Sequence, residues 1–338
     1  MTTAFASPHW QEATQAVADA ARILLVTHTK PDGDAIGSLL AMAAILADSG
    51  KTVVAAVDGG VPEYLAYVPG SAAVQRTLET GDFDLMISLD ASDEARTGEC
   101  GRYGMAHSAR ILNIDHHPTN TGFGHIHLIV PDAVSTTQVL YDWFALAGWA
   151  ISRDAATALL TGLVTDTLGF RTNNVVPHTL MTSAALMAAG APLHDIMTRT
   201  LNSTSFLAIQ MWKHALNTVQ YRKKVIAADI TQDVLKTLGL SQATDTGGLI
   251  GFLISANEAQ VAVVFKEQGN TSVELSMRAK PGRDVAEVAF ALGGGGHKLA
   301  AGATVAGTLE EVKAKVMPML YAVARGKSPF ADPEPEDA

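Results

Sequence analysis

The chain has one cysteine, Cys100, in 338 residues, which excludes an intramolecular disulfide and any zinc site built on thiolates. Aromatic residues are scarce at 6% and charged residues reach only 17%, so the composition is neither that of a charged disordered chain nor that of a coiled coil. Positive charge is in deficit: 24 Lys and Arg stand against 34 Asp and Glu, a net charge of −10. That balance argues against coating long duplex nucleic acid, which rests on many Lys/Arg–phosphate contacts. A substrate with few phosphates, held locally, is still allowed. Long apolar runs are also missing. The longest, around residues 36–47, falls short of the ~20 residues a membrane span needs. The first residues lack a basic stretch followed by an apolar one, so no signal peptide is expected. A soluble, cytoplasmic protein with no membrane partner is the expectation.

What is present is 48% hydrophobic residues and a length about twice the ~150-residue domain prior, which together predict two domains. The first half alternates. Ser7-Pro8 reads as a helix cap and first turn, followed by an Ala-rich helix to residue 21. Short aliphatic runs at 23–27, 52–57, 85–89 and 111–114 read as buried strands. Helical patterns cover 34–48, 136–146, 153–165 and 179–189. This alternation predicts an α/β fold, a mostly parallel doubly wound sheet covered by helices on both faces. After Gly190 the pattern changes. Strands are expected at 224–230, 260–267 and 272–278, the last two joined by a Gly269-Asn270 turn, with helices at 232–238, 284–292 and 309–324. The second domain is thus a smaller α+β unit. The predicted organisation is a catalytic domain over 1–190, a linker over 191–205, a substrate-binding domain over 206–328 and a disordered tail over 329–338.

The metal-competent side chains gather at one kind of place. His28, Asp32 and Asp34 follow the first strand, Asp90 closes the third, and Asp115-His116-His117 closes the fourth. Asp166 follows an apolar helix. In open α/β sheets ligands bind outside the carboxyl ends of the strands. Singly, each residue has an ordinary reading: a strand-end histidine, an aspartate helix cap, a solvated loop acid. Together they fall at the same edge of one sheet. Histidine with several carboxylates and no thiolate suits manganese, magnesium, iron or zinc. Their number exceeds what one structural zinc needs. Two ions ~3.5–4 Å apart sharing a carboxylate serve in-line displacement at phosphorus.

The segments His28-Thr29-Lys30-Pro31-Asp32-Gly33-Asp34, Leu89-Asp90, Asp115-His116-His117 and Asp166 resemble, in order, the four motifs of the DHH phosphoesterase superfamily. Gly293-Gly294-Gly295-Gly296-His297 followed by Ala300-Ala301-Gly302 resembles the signature of the DHH-associated C-terminal domain. The whole looks most like the stand-alone NrnA-type branch, which degrades nano-RNA and dephosphorylates 3′-phosphoadenosine 5′-phosphate (pAp). The resemblance implies one metal on His28, Asp32 and Asp90, and a second on Asp34, Asp90, His116 and Asp166, with Asp90 bridging. It implies that Asp115 orients the neighbouring histidine and that His117 reaches the scissile phosphate, which with Asp90 makes these three the catalytic residues. Gln138 departs from the acidic residue found in many relatives.

In the second domain, Ser276 and Arg278 lie two apart on a predicted strand and so share a face. Arg278 offers a fork for a terminal phosphate. Gly294, Gly295 and Gly296 can form an anion-binding nest, and His297 adds a donor. Lys266, Lys280, Arg283 and Lys298 add positive charge that neighbouring acids largely offset. A cleft between the two domains is expected to measure a short substrate from its end. The reading is a phosphoesterase with two Mn2+ ions per chain, magnesium or cobalt being alternatives. It acts on short single-stranded RNA and pAp, and a homodimer is left open. A cyclic or linear dinucleotide phosphodiesterase is the main rival. A family II pyrophosphatase and a silent nucleotide sensor rank lower.

Overall fold

The computed structural model describes residues 8–47, 49–241, 248–269 and 271–331. The expected Ser7 cap, the end of the expected helix at Asp48, Asn270 of the expected turn and most of the expected tail lie outside the described residues. Two compact units divide between Ser203 and Thr204.

The first unit runs α1 (Pro8–Asp19), β1 (Arg22–Thr27), α2 (Gly33–Leu46), β2 (Thr52–Ala56), β3 (Phe83–Leu89), α3 (Gly98–Ala106), β4 (Ser108–Asp115), β5 (Ile126–Ile129), α4 (Thr136–Ala147), α5 (Arg153–Asp166), α6 (Pro177–Ala188) and α7 (Leu193–Thr200). Its sheet has the order β2-β1-β3-β4-β5, every pair parallel. The two-residue period of a strand divides the core. Ile23 and Leu25 join α1, α2, α4 and α5 in one apolar cluster, while Leu24 and Val26 join Met86, Cys100 and Phe123 in another. Helices therefore cover both faces, but unequally, with α3 on the thinner side.

The strand order reverses between β1 and β3, which is where a doubly wound sheet opens a crevice at its carboxyl edge. Register sharpens this. Thr27 pairs with Leu89, and Leu89 pairs with Ile114, so residues 28, 90 and 115 leave the sheet side by side.

The second unit runs α8 (Phe206–Leu216), β6 (Gln220–Arg222), β7 (Val225–Ile230), α9 (Gln232–Thr237), α10 (Leu249–Ile254), β8 (Val261–Gln268), β9 (Ser272–Ala279), α11 (Ala286–Ala291), β10 (Gly295–His297), β11 (Ala300–Ala306) and α12 (Leu309–Ala324). Its sheet has the order β10-β11-β9-β8-β7-β6, with β7 and β8 parallel and the other pairs antiparallel. One face packs on α11 and α12; β7 and β8 pack by the other on α8, α9 and α10.

Two expectations change. The stretch 191–205, expected as a linker, contains α7, whose Ile196 is fully buried in the first unit's core. The glycine run, expected as an anion-binding nest, puts Gly295 and Gly296 into the edge strand β10. Glycine is needed there because a Cβ on Gly296 would meet the Cα of Ala301 at 2.5 Å. No helix among the described residues is long and apolar enough to cross a membrane.

Candidate metal centre

The centre is built from strand ends inward. His28 leaves β1 buried, and its Nδ1 lies 2.9 Å from the Thr29 carbonyl. A carbonyl only accepts, so Nδ1 carries the proton and Nε2 presents its lone pair. That Nε2 stands 3.9 Å from Asp32 Oδ1 and 3.6 Å from Asp90 Oδ2. Asp32 is at once a candidate ligand and the cap of α2, its Oδ1 accepting from the amides of Asp34 and Ala35 at 3.0 and 3.1 Å. The cap and ligand readings of this residue are compatible.

Asp90 keeps the ladder by donating its amide to Ile114 at 2.9 Å, then turns sharply with φ of 59°. Aspartate tolerates this left-handed region better than most residues. Its Oδ2 faces His28, while its Oδ1 lies 3.8 Å from His116 Nε2. His116 is fixed the same way as His28, with Nδ1 3.3 Å from the Ala133 carbonyl. Its Nε2 faces Asp34 Oδ2 at 4.0 Å and Asp166 Oδ2 at 3.2 Å.

Asp115 has a different occupation. Its Oδ1 accepts from the amides of His116 and His117 and from His117 Nδ1 at 2.8 Å, and its Oδ2 accepts from Asn120. These donors outweigh the burial that opposes ionisation and hold its pKa below the usual carboxylate value. It orients the ring of His117, not that of His116. Burial works against protonation of His117, but its bond to Asp115 prevails and the pKa is raised.

Helix α4 meets the centre with its N-terminus. Asp34 Oδ2 accepts from the Thr136 amide at 2.7 Å, and its Oδ1 accepts from the amide and hydroxyl of Thr137 at 3.0 and 2.7 Å. The Thr136 hydroxyl donates to Asp90 Oδ1 at 2.8 Å. Helix α5 brings Asp166 on its last residue and crosses α2 closely through Gly162.

Electrostatics decides what the cluster needs. Burial, then the neighbouring Asp34, Asp32, Asp166 and Asp115, push Asp90 well above the usual carboxylate range. Burial, then Asp34, Asp32 and Asp115, push Asp166 up to about 9. Burial also raises Asp34, against the opposing pull of His116. A helix N-terminus offsets at most ~2 kcal/mol. Desolvating each carboxylate costs several kcal/mol, so α4 alone cannot hold them ionised. Apart from His116 Nε2 to Asp166 Oδ2 at 3.2 Å, the separations between Nε2 and carboxylate oxygens, 3.6–4.0 Å, are too long for hydrogen bonds. They match two atoms bound ~2.1 Å from one shared ion. Ligand atoms of His28, Asp32 and Asp90 lie within 4.8 Å of one another, as do those of Asp34, His116 and Asp166. The donor set fits two divalent cations flanking Asp90. A third grouping, Asp90 with His116 and His117, also meets that distance. In that grouping Asp115 already engages His117 Nδ1 at 2.8 Å.

On the second unit, β-ladder register places the candidate binding residues. His297 opposes Ala300, which opposes Arg278; Gly295 opposes Gly302, which opposes Ser276. Directly opposed residues point to one face, so His297, Arg278 and Ser276 share it, with backbones of the first two roughly 10 Å apart over a floor of small residues. Arg278 is half-buried, burial lowers its pKa, and one Nη donates to the Met277 carbonyl at 3.0 Å. The Gly294 amide is already bonded to Ala289, which removes a donor from the expected nest. Lys266 pairs with Glu274, Lys280 holds the Ala256 and Asn257 carbonyls, and Arg283 holds Ala324, so these three cations serve the fold.

Residues 22–163 match the DHH family, N-terminal domain, and residues 224–321 match the DHHA1 domain. The bifunctional oligoribonuclease and PAP phosphatase NrnA of Thermus thermophilus is 31% identical over 288 residues, 84% of each chain. The chain belongs to the DHH family. Cyclic-di-AMP phosphodiesterase PdeA of Listeria monocytogenes is 22% identical over 82% of this chain and 43% of that protein. An exopolyphosphatase-related protein from Bacteroides fragilis shares the fold, with a TM-score of 0.87 at 24% identity over 95% of this chain and 97% of that one.

In the DHH unit, His28, Asp32, Asp34, Asp90, His116 and Asp166, all candidates from the sequence, lie together, whereas Thr136, Thr137, Asn120, Ala133 and Gly162, which pack on or hydrogen-bond to them and Asp115, were not among the candidates. Ser135-Thr136-Thr137 ahead of an apolar helical run is a capping signal, and that was the available clue. Gly162 yields a direct test. A methyl group there would lie 2.6 Å from Asp34 Oδ1 and collide with Thr137. Gly162→Ala should weaken manganese binding at least about tenfold by displacing a ligand. Gly251→Ala, a helical position with open space around its missing Cβ, should leave binding unchanged. Equal affinities in the two variants, measured by metal titration, would contradict the placement of Asp34 by α5.

Proposed function

We propose that this chain is a two-metal phosphoesterase that releases 5′-mononucleotides from very short single-stranded RNA and removes the 3′-phosphate of pAp. The observation that carries the reading is Asp90, whose two oxygens face two separate donor groups. Similarity to the Thermus NrnA protein along 84% of both chains supports the substrate class. His28, Asp32 and Asp90 would hold one ion, and Asp34, Asp90, His116 and Asp166 the other, manganese being the metal we propose. Such a pair, when bound, supplies Lewis-acid stabilisation of phosphoryl charge and an acidified water.

The protein's own part is positioning. Thr136 and Thr137 fix the carboxylates of Asp90 and Asp34, so that neither rotates away from its ion. Asp115 holds His117 with Nδ1 committed, directing Nε2 toward a phosphoryl oxygen as donor. Arg278, Ser276 and His297 take the anionic end of the substrate that does not react, and this remote binding energy orients the reacting phosphate.

A turnover panel tests the substrate class. With manganese, RNA of two to five nucleotides and pAp should be hydrolysed, and cyclic di-AMP poorly. Arg278→Ala should lose far more activity on pAp than on bis(4-nitrophenyl) phosphate, which has no remote phosphate. Preference for cyclic di-AMP would instead support the dinucleotide phosphodiesterase reading that the PdeA likeness raises.

The two adjacent histidines give a second test. His116→Ala should lose metal, with partial recovery in excess manganese. His117→Ala should retain both ions and stay slow, about 100-fold or more, at any manganese concentration. Metal content and kcat measured on the same preparations decide it; metal loss in the His117 variant would reverse the assignment.

A further inference from the structure

The loop that leaves Asp90 carries a cation that the site described so far does not use. It runs Ala91-Ser92-Asp93-Glu94-Ala95-Arg96 and folds back on itself, the Arg96 amide donating to Asp93 Oδ1 at 2.9 Å. The Arg96 carbonyl accepts from the Thr29 amide at 2.7 Å, which ties this loop to the residue after His28. Arg96 is therefore held between two strand ends that supply metal ligands.

Arg96 is half-buried, and its Nη1 donates to the hydroxyl of the buried Ser92 at 3.2 Å. Among the described residues no carboxylate lies within ion-pair distance of it, although the centre beside it is rich in carboxylates. The same loop is tied to the His117 segment: Asn120 Nδ2 donates to the Ala91 carbonyl at 3.2 Å and also to Asp115, which holds the His117 ring. A guanidinium taken partly out of water with one neutral partner is unfavourable unless an anion completes its fork. The planar donor pair matches a phosphoryl group better than a carboxylate already shared with metal ions.

We propose that Arg96 binds the phosphoryl group undergoing hydrolysis, its guanidinium donating to a non-bridging oxygen on the side of the centre where His117 stands. The proposal rests on the phosphoesterase reading and deepens it. Arg96 then serves the reacting phosphate, a role separate from the one proposed for Arg278.

The test uses Arg96→Gln and Arg96→Lys in the manganese-loaded full chain. Metal content and melting temperature are measured beside turnover of pAp and bis(4-nitrophenyl) phosphate, and binding of inorganic phosphate is followed by calorimetry. Arg96→Gln should lose roughly 100-fold in kcat/KM on both substrates and bind phosphate at least tenfold more weakly, with metal content unchanged. Arg96→Lys should recover part of both. A glutamine variant within about threefold of the wild type on both substrates would overturn the proposal. So would a loss confined to pAp, which would place Arg96 at the remote phosphate, or a rate loss that follows metal loss. Phosphate binding needs no turnover. If the wild type failed to hydrolyse any phosphoester, the enzymatic reading would fall, while unchanged phosphate affinity in the glutamine variant would separately overturn the role of Arg96.

Discussion

Four carboxylates crowd around two imidazole lone pairs at the carboxyl edge of the first sheet, and the rest of the unit is arranged to tolerate them. Asp34 and Asp90 are almost fully buried, and Asp34 raises the cost of ionising both Asp90 and Asp166. The amides and hydroxyls at the start of α4 offset part of that cost, and Asp115 is neutralised by its own four donors. What is left over is a deficit of positive charge that suits divalent cations and little else. Protons could fill it, but the tautomers set by Thr29 and Ala133 aim both Nε2 lone pairs inward, as metal ligation requires.

Topology makes this crowding affordable at one place only. The strand order reverses between β1 and β3, so their ends diverge and leave room. Parallel register then sets residues 28, 90 and 115 in a row. Helices α2 and α5 approach through glycine, which lets Asp34 and Asp166 reach the same imidazole from different elements. Function in this unit is a consequence of strand register as much as of residue identity.

The parallel sheet and the residues gathered at its edge were legible in the sequence because both depend on local signals: short aliphatic runs, and acids or histidines directly after them. Elements with weak local signals were not. β5 is four residues long, α7 sits in a segment too polar to suggest a buried face, and α8 and α10, which follow Ser205 and Gly248, were not among the expected elements. The glycine run was read as an anion-binding nest and not as a strand. Its pairing with β11 depends on close backbone approach, a tertiary property. Thr136 and Thr137 open α4 behind the Ser135 cap, but nothing local shows that their amides receive Asp34 from 102 and 103 residues away. Which histidine Asp115 holds was likewise a matter of geometry.

The central claim is that Asp90 joins two metal ions. Manganese added back to the metal-free protein, followed by low-temperature electron paramagnetic resonance, tests it most directly. The account predicts two ions per chain with the exchange-coupled spectrum of a bridged pair, and loss of that coupling in Asp90→Asn. A single bound ion, or two ions in the wild type with independent spectra, would contradict it.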